Sequence, residues 1–387
     1  MWLTEGQKHA LQVFNSGENI LLLGDPGTGK SALISAIVEE AASNGKNVAR
    51  TASTGIAAQL INGRTIHSLL KAYPRMNLNH IDYDKKTTNL ENIDVLIIDE
   101  ISMIGSSFIE YLYKCLAHTG HRIQLVLVGD FFQLPPVKDS YAFTSPYWNM
   151  LYLTPCILTE VVRQKDREFI QNITLLKYGD RSCLPYLLSH SSPLPLAGQI
   201  SVCARKGDAQ QINKMALEML FGAPQIYTAN YNGTVSFSDP QIEKYLIVKI
   251  GMRVMSVING YGYSNGSLGT VTNLDTNSVE VLFDNGNTVC FSKVPFTVER
   301  KDILGNTTEL WQIPLRPASA ITIHKSQGQT FKNVNIDGTK CWAPGQLYVA
   351  VSRACDIKGI HFLTPIRDGN IKIDPAVVKF YNNLKSY

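Results

Sequence analysis

At 387 residues, with 44% hydrophobic and 18% charged residues, the chain has enough apolar side chains for two well-packed domains and too many for a disordered one. A formal net charge of +4 permits a nucleic-acid partner without requiring one, and no apolar run approaches the roughly 18 residues of a membrane helix. The 7 cysteines show no C-x-x-C spacing and the start, Met1-Trp2-Leu3-Thr4-Glu5, lacks a secretion signal, so a reducing, cytoplasmic setting of bacterial or phage type is expected, with no membrane.

Strands are predicted at Asn19–Leu23, Asn47–Ala52, Val95–Ile98 and Leu125–Val128. Helices are predicted at Thr4–Phe14, Ser31–Ala42, Thr54–Leu60 and Ser107–Ala117. Short buried strands alternating with helices specify an α/β class with a parallel sheet covered on both faces. Between Lys71 and Asn92 the pattern lapses into polar residues, which reads as a small surface insertion. Pro185–Gly198 reads as a connector, and a second α/β unit is placed from about Leu158, with a strand at Ile200–Ala204 and a helix at Asp208–Leu220. From Met252 to Val298, β-type runs alternate with Asn-Gly and Asp-Asn-Gly turns, the signature of a small all-β module. The α/β pattern returns at Ser319–Ile323.

The chemistry begins behind the first strand. Gly24-Asp25-Pro26-Gly27-Thr28-Gly29-Lys30-Ser31 has the G-x-x-x-x-G-K-S spacing of a phosphate-binding loop. Its glycines let backbone N–H groups converge on phosphates, and the following helix adds its positive end. Lys30 is expected on the β- and γ-phosphates and the Ser31 hydroxyl on Mg²⁺. Asp94-Val95-Leu96-Ile97-Ile98-Asp99-Glu100 is a buried strand ending in two carboxylates. Asp99 is placed to hold Mg²⁺, and Glu100 to orient and deprotonate an attacking water, which favours hydrolysis over phosphoryl transfer to an acceptor. In Gly129-Asp130-Phe131-Phe132-Gln133, the neutral Gln133 amide can read both γ-phosphate and water. Arg163 and Arg353 are candidates to spread charge over the γ-phosphate, although taken singly either suits a surface ion pair.

These blocks, in this order, resemble a superfamily-one helicase of the 5′→3′ translocating group. The likeness is greatest to the Pif (Pif-one) DNA helicase family, with the Dda and RecD helicases as cousins, and it runs from about Leu3 to Ile360. The resemblance makes Leu3-Thr4-Glu5-Gly6-Gln7 an adenine-reading motif, with Gln7 on the base. Thr54-Gly55-Ile56-Ala57-Ala58 and Thr65-Ile66-His67-Ser68 resemble the first DNA-contacting motifs. Ile323-His324-Lys325-Ser326-Gln327-Gly328 resembles a motif touching strand and nucleotide, and Tyr348-Val349-Ala350-Val351-Ser352-Arg353 the last motif, so Gly328 and Tyr348 join the nucleotide set. It implies DNA contacts from Thr54, Gly55, Thr65, His67, Thr322, His324, Lys325 and Ser326.

The implied fold is two RecA-like domains, 1–157 and 158–387. A wedge insertion falls at 71–92, with Tyr73, Pro74 and Met76 as wedge residues, and a β-barrel insertion at 252–298. The implied activity is an ATP- and Mg²⁺-dependent, monomeric motor on single-stranded DNA and its junctions, with G-quadruplexes and RNA–DNA hybrids left open as substrates. An RNA-directed motor, a small-molecule kinase and an ATP-switched binding protein are the rival readings.

Overall fold

Apolar runs buried on both faces build the first sheet. The computed structural model describes residues 3–72, 89–162, 166–189, 199–232, 242–301 and 307–384. They divide into two compact units: Met1–Pro193 with Thr330–Lys332 and Gly338–Tyr387, and Leu194–Gln329 with Asn333–Asp337.

In the first unit, β1 (Asn19–Gly24), β2 (Val48–Ala52), β3 (Arg64–Thr65), β4 (Val95–Asp99), β5 (Gln124–Gly129) and β6 (Leu153–Leu158) run parallel in the order β3-β2-β4-β5-β1-β6. Ile20 to Leu23 and Val95 to Ile98 are each no more than 2% exposed. This is the burial of a sheet packed on both faces. The helices are α1 (Glu5–Asn15), α2 (Lys30–Ser43), α3 (Gly55–Leu60), α4 (Ile66–Leu69), α5 (Ser106–Ala117), α6 (Arg167–Lys177) and α7 (Leu184–Leu188). In α2, Leu33, Ile34, Ile37 and Ala41 fall on one buried face at helical spacing. α1 opens on a capping box: Thr4 Oγ1 accepts from Gln7 N at 3.3 Å, and Gln7 Oε1 accepts from Thr4 N at 2.9 Å. The register pairs Leu23 with Gly129 and Ile98 with Leu127. The carboxyl ends of β1, β4 and β5 therefore share one edge, where ligands of open α/β sheets bind.

The second unit contains β7 (Ile200–Cys203), α8 (Lys206–Met219), β8 (Gln225–Thr228), β9 (Asn230–Tyr231), β10 (Tyr245–Val248), β11 (Arg253–Ser256), β12 (Leu268–Leu274), β13 (Ser278–Phe283), β14 (Thr288–Ser292), β15 (Val294–Lys301), β16 (Thr307–Gln312), β17 (Leu315–Pro317), β18 (Ala320–Thr322), α9 (Ile323–Ser326) and β19 (Val334–Ile336). β18 and β19 flank β7 in parallel. The all-β module is an antiparallel sheet in the order β14-β13-β12-β11-β17. Its β13–β14 hairpin turns at Asp284-Asn285-Gly286, where Gly286 takes φ +90°.

Two further helices, α10 (Gln346–Val351) and α11 (Pro375–Leu384), belong to the first unit. The expected division at 157/158 therefore differs from the contact-based one. β6 ends at Leu158 but pairs with β1 along its whole length. Phe380 of α11 stacks on Phe143 with centroids 4.3 Å apart, and Tyr381 lies 4.8 Å from Phe132. The β-module exceeds its expected 252–298 limits, because β17 adds to its edge beside β11. The wedge candidates Tyr73, Pro74 and Met76 lie outside the described residues.

One glycine joins the C-terminal helices to the sheet edge. Gly345 precedes α10 with φ +75°, and a Cβ there would lie 2.5 Å from the carbonyl oxygens of both Phe132 and Gln133. Left-handed strain and a backbone clash act together in Gly345→Ala, which should lower unfolding stability by roughly 1–3 kcal/mol. Thermal unfolding of the variant checks this, and an unchanged melting temperature contradicts it.

Candidate active site

The loop after β1 is wound by glycines into a shape that other residues could not take. Gly27 and Gly29 have φ +89° and +78°. A Cβ on Gly24 would lie 2.6 Å from Thr28 Oγ1, and one on Gly29 would lie 2.4 Å from Gln7 Nε2. Pro26 lies within this loop. Thr28 Oγ1 donates to Asp25 O at 2.8 Å, which closes the turn. Lys30 Nζ donates to Gly24 O at 2.6 Å and to Asp25 O at 3.0 Å. Ser31 follows in the first turn of α2.

Gln7 is 3% exposed. Its Nε2 donates to Thr28 O at 3.1 Å and Gly29 O at 3.2 Å, while its Oε1 accepts from Thr4 N. Both amide hydrogens are thus committed to the loop, and the second lone pair of Oε1 is what Gln7 has left for a base.

Carboxylates gather opposite Lys30. Asp99 ends β4, and its Oδ1 accepts from Glu100 N at 2.8 Å. Burial raises the Asp99 pKa, against the pull of that N–H and of Lys30. Glu100 sits in left-handed backbone at φ 54°, a strained conformation for a side-chain-bearing residue. Burial, with Asp99 beside it, pushes its carboxyl up to about 7, although Lys30 and Arg353 oppose the shift. Burial also lowers Lys30, even with Asp130, Glu100, Asp99 and Asp25 around it. Burial disfavours the charged forms of Lys30, Asp99 and Glu100, and a divalent cation held with phosphate would favour the ionised carboxylates. Among the described residues no cluster of three or more His, Cys, Asp or Glu is arranged to hold a metal alone. Such a cation would share its coordination with a bound phosphate.

Two buried oxygens complete the site. Glu100 Oε2 and Gln133 Oε1 are both shielded from solvent and make no hydrogen bond within the protein. Leaving such atoms unpaired is costly, and exceptions call for a functional reason. Arg353 is 2% exposed; its Nε donates to Val349 O and its Nη2 to Ser352 Oγ, both at 3.0 Å. Its charge acts on Glu100, so Lys30, Glu100 and Arg353 share one electrostatic neighbourhood. Arg163 lies outside the described residues.

Two of the expected site residues spend their hydroxyls inside the protein. Tyr348, expected on the nucleotide, donates its hydroxyl to Asp130 Oδ2 at 2.9 Å and is 3% exposed. Ser326, assigned to DNA, is fully buried and donates to Ile323 O at 2.8 Å, because α9 turns it toward the core. Gly328 belongs to the second unit and takes φ +75°.

The other strand-contact candidates cap short helices. Thr54 Oγ1 accepts from Ala57 N at 3.2 Å, Thr65 Oγ1 from Ser68 N at 3.2 Å, and Thr322 Oγ1 from Lys325 N at 3.4 Å. Each cap uses the oxygen as acceptor and leaves the hydroxyl proton for another partner. Nothing lies within 4 Å of a Cβ on Gly55. His67 packs on Phe108, with ring centroids 4.5 Å apart. Burial lowers both His67 and His324, favouring their neutral forms. Burial, with Arg316 and Lys206 nearby, lowers Lys325 to about 8.

Sequence reasoning missed the hub of the first unit. Asp130 is fully buried and accepts from Phe132 N at 3.1 Å, Tyr348 Oη at 2.9 Å and Tyr381 Oη at 3.3 Å. Its position inside Gly129-Asp130-Phe131-Phe132-Gln133 was the available signal. Tyr381 lies in no motif, and only folding brings it there.

Comparison with known proteins places this geometry. A profile described as an AAA domain matches residues 2–192, and one described as a UvrD-like helicase C-terminal domain matches residues 317–356. The ATP-dependent DNA helicase Pif1 of Bdellovibrio bacteriovorus is 31% identical, across 99% of this chain and 92% of that protein. The human PIF1 helicase is 30% identical across 99% of this chain, but the match spans 64% of its own length. The crystal structure of the Candida albicans Pif1 helicase superposes with a TM-score of 0.87 at 29% identity, covering 99% of this chain and 100% of that one. The Bacteroides enzyme in complex with ADP-AlF3 and single-stranded DNA gives 0.82 at 28% identity, covering 100% and 98%. The two parallel sheets are accordingly RecA-like cores, the fold class the sequence implied.

The Glu100 shift has a stability consequence. Its folded pKa of about 7 lies above the ordinary 4.5. Its favourable contribution is therefore complete below about 4.5 and is lost as pH rises through about 7. Glu100→Gln should melt several degrees above the unmodified protein at about pH 8, with the margin closing toward low pH. Melting curves across pH test this, and identical curves contradict it.

Proposed function

The chain belongs to the Pif1 helicase family, and from that membership we propose that it is an ATP-dependent DNA helicase that moves 5′→3′ along single-stranded DNA and opens the duplex ahead. The observation that carries the reading is the pair of buried, unpartnered oxygens on Glu100 and Gln133, with Glu100 in the field of Lys30 and Arg353.

In this reading the amides of Gly27, Thr28 and Gly29 cradle the triphosphate, with Lys30 moving from its loop carbonyls onto the β- and γ-phosphates. Ser31 and Asp99 are the proposed Mg²⁺ ligands, and the cation would neutralise phosphate charge and favour the ionised forms of Asp99 and Glu100. Glu100 Oε2 accepts a proton from the attacking water. Gln133 Oε1 holds that water in line without adding charge. Arg353 stabilises charge growing on the γ-phosphate, and Arg163 is the proposed second finger, on motif grounds.

The DNA contacts proposed are sequence-independent. Thr54, Thr65 and Thr322 offer hydroxyl protons to phosphates, Gly55 admits the backbone closely, and neutral His67 and His324 suit stacking or hydrogen bonding to bases. Lys325 supplies charge while protonated. The relatives' names and structures support DNA as the partner; a monomeric motor acting at single/double-strand junctions is the simplest form of the reading. Among the described residues no helix is long and apolar enough to cross a membrane.

Glu100→Gln should retain ATP binding while DNA-stimulated hydrolysis falls by at least about 100-fold, and Arg353→Ala should depress hydrolysis far more than DNA binding. Steady-state turnover with single-stranded DNA reads both; undiminished turnover removes the named role. Duplexes carrying a 5′ or a 3′ single-stranded tail, with ATP and Mg²⁺, test the whole reading. Unwinding confined to the 5′-tailed substrate is expected, and no unwinding of either overturns it.

The Lys325 shift adds a pH dependence. Its ammonium loses its proton near pH 8 in the free protein, so single-stranded DNA affinity should weaken as pH rises from about 7 to about 9. The slope should flatten in Lys325→Met. Fluorescence anisotropy with a labelled oligonucleotide measures it, and equal slopes contradict it.

A further inference from the structure

Lys177 ends α6 on the wrong face for a lysine. The helix buries Phe169, Ile173 and Leu176 at helical spacing, and Lys177 shares that apolar stripe at 6% exposure. Asp166 caps the helix, accepting from Glu168 N at 3.0 Å and Phe169 N at 3.1 Å, and Gly179 turns the chain at φ +77° just beyond. A buried ammonium is costly unless it is paired, so its partners show what it serves.

Those partners come from three separate segments. Nζ is ion-paired with Asp25 Oδ1 in the phosphate-binding loop. It also lies 4.8 Å from the ring centroid of Phe132, 5.2 Å from Tyr178 and 5.5 Å from Tyr381. Phe132 directly precedes Gln133. Tyr381 hydrogen-bonds Asp130 and accepts from Phe131 N at 3.2 Å. Burial pulls the Lys177 pKa down, but Asp130 and Asp25 more than reverse it, so the group stays charged. Aromatic faces and a carboxylate thus hold one cation between the loop that grips phosphate and the turn that carries Gln133.

We propose that Lys177 is a positioning residue for nucleotide hydrolysis, tying Asp25 of the phosphate-binding loop to the Phe132–Gln133 turn so that both address the same phosphate. This rests on reading the site as ATP-hydrolysing. The residue touches no reacting atom; it acts by fixing the spacing of those that do. Loss of the tie lets the turn drift, and misplacements near 1 Å can cost up to about 100-fold in rate.

The test compares Lys177→Met, Lys177→Arg, Asp25→Asn and the double variant Asp25→Asn/Lys177→Met, measuring kcat and KM for ATP at saturating single-stranded DNA. Lys177→Met should lose about tenfold in kcat with a smaller change in KM, and Lys177→Arg, which keeps the cation, should stay within about threefold. Asp25→Asn should reproduce the kcat loss, and the double variant should be no worse than the weaker single, because one tie is being cut twice. Asp25 is 26% exposed at its side chain, so its variant carries the test should Lys177→Met not fold. Unchanged kcat in a folded Lys177→Met or Asp25→Asn variant, a loss confined to KM, or full additivity overturns the proposal. Absence of DNA-stimulated hydrolysis in the unmodified protein would instead strike the functional reading itself.

Discussion

The desolvation of the charged groups packed around Lys30 is the constraint on which the first unit depends. Lys30 lies in the field of Asp130, Glu100, Asp99 and Asp25, and burial penalises the charges of Lys30, Asp99 and Glu100. Folding does not relieve this. The pKa values of Asp99 and Glu100 rise, Lys30 falls, and Lys30 turns back on the carbonyls of its own loop. A ligand that brought both cation and phosphate would satisfy the lysine and the carboxylates together.

The surrounding fold holds this arrangement in place by close packing and local strain. Glu100 sits in left-handed backbone, and Gly345 approaches the carbonyls of Phe132 and Gln133 more closely than a side chain allows. Asp130 is fully buried yet bonded by two tyrosines and a backbone amide. Satisfied buried networks of this kind rigidify what they contact. Here they join α10 and α11, remote in sequence, to the turn bearing Gln133.

The parts legible in the sequence were those governed by local rules. Ile20–Leu23 and Val95–Ile98 are continuous apolar runs, and they form buried parallel strands within a residue or two of the expected limits. The glycine spacing marked the phosphate loop. Asp284-Asn285-Gly286 marked its hairpin. What stayed hidden depends on distant pairing: β6 joins the first sheet through β1, and α11 reaches Phe131 across about 250 residues, which no periodicity announces. The hydroxyls of Tyr348 and Ser326 turn inward for a related reason. Motif position fixes where a residue lies in the chain, but helix phase decides which way its hydroxyl turns.

In the proposed reading, Mg²⁺ bound with the triphosphate offsets the desolvation of Asp99 and Glu100. Fluorescence titration of an ATP analogue, with and without Mg²⁺, in the unmodified protein and in Asp99→Asn, measures it directly. Mg²⁺ should tighten binding by at least about tenfold in the unmodified protein, and most of that gain should vanish in Asp99→Asn. Equal affinity with and without Mg²⁺, or an undiminished gain in the variant, would contradict the account.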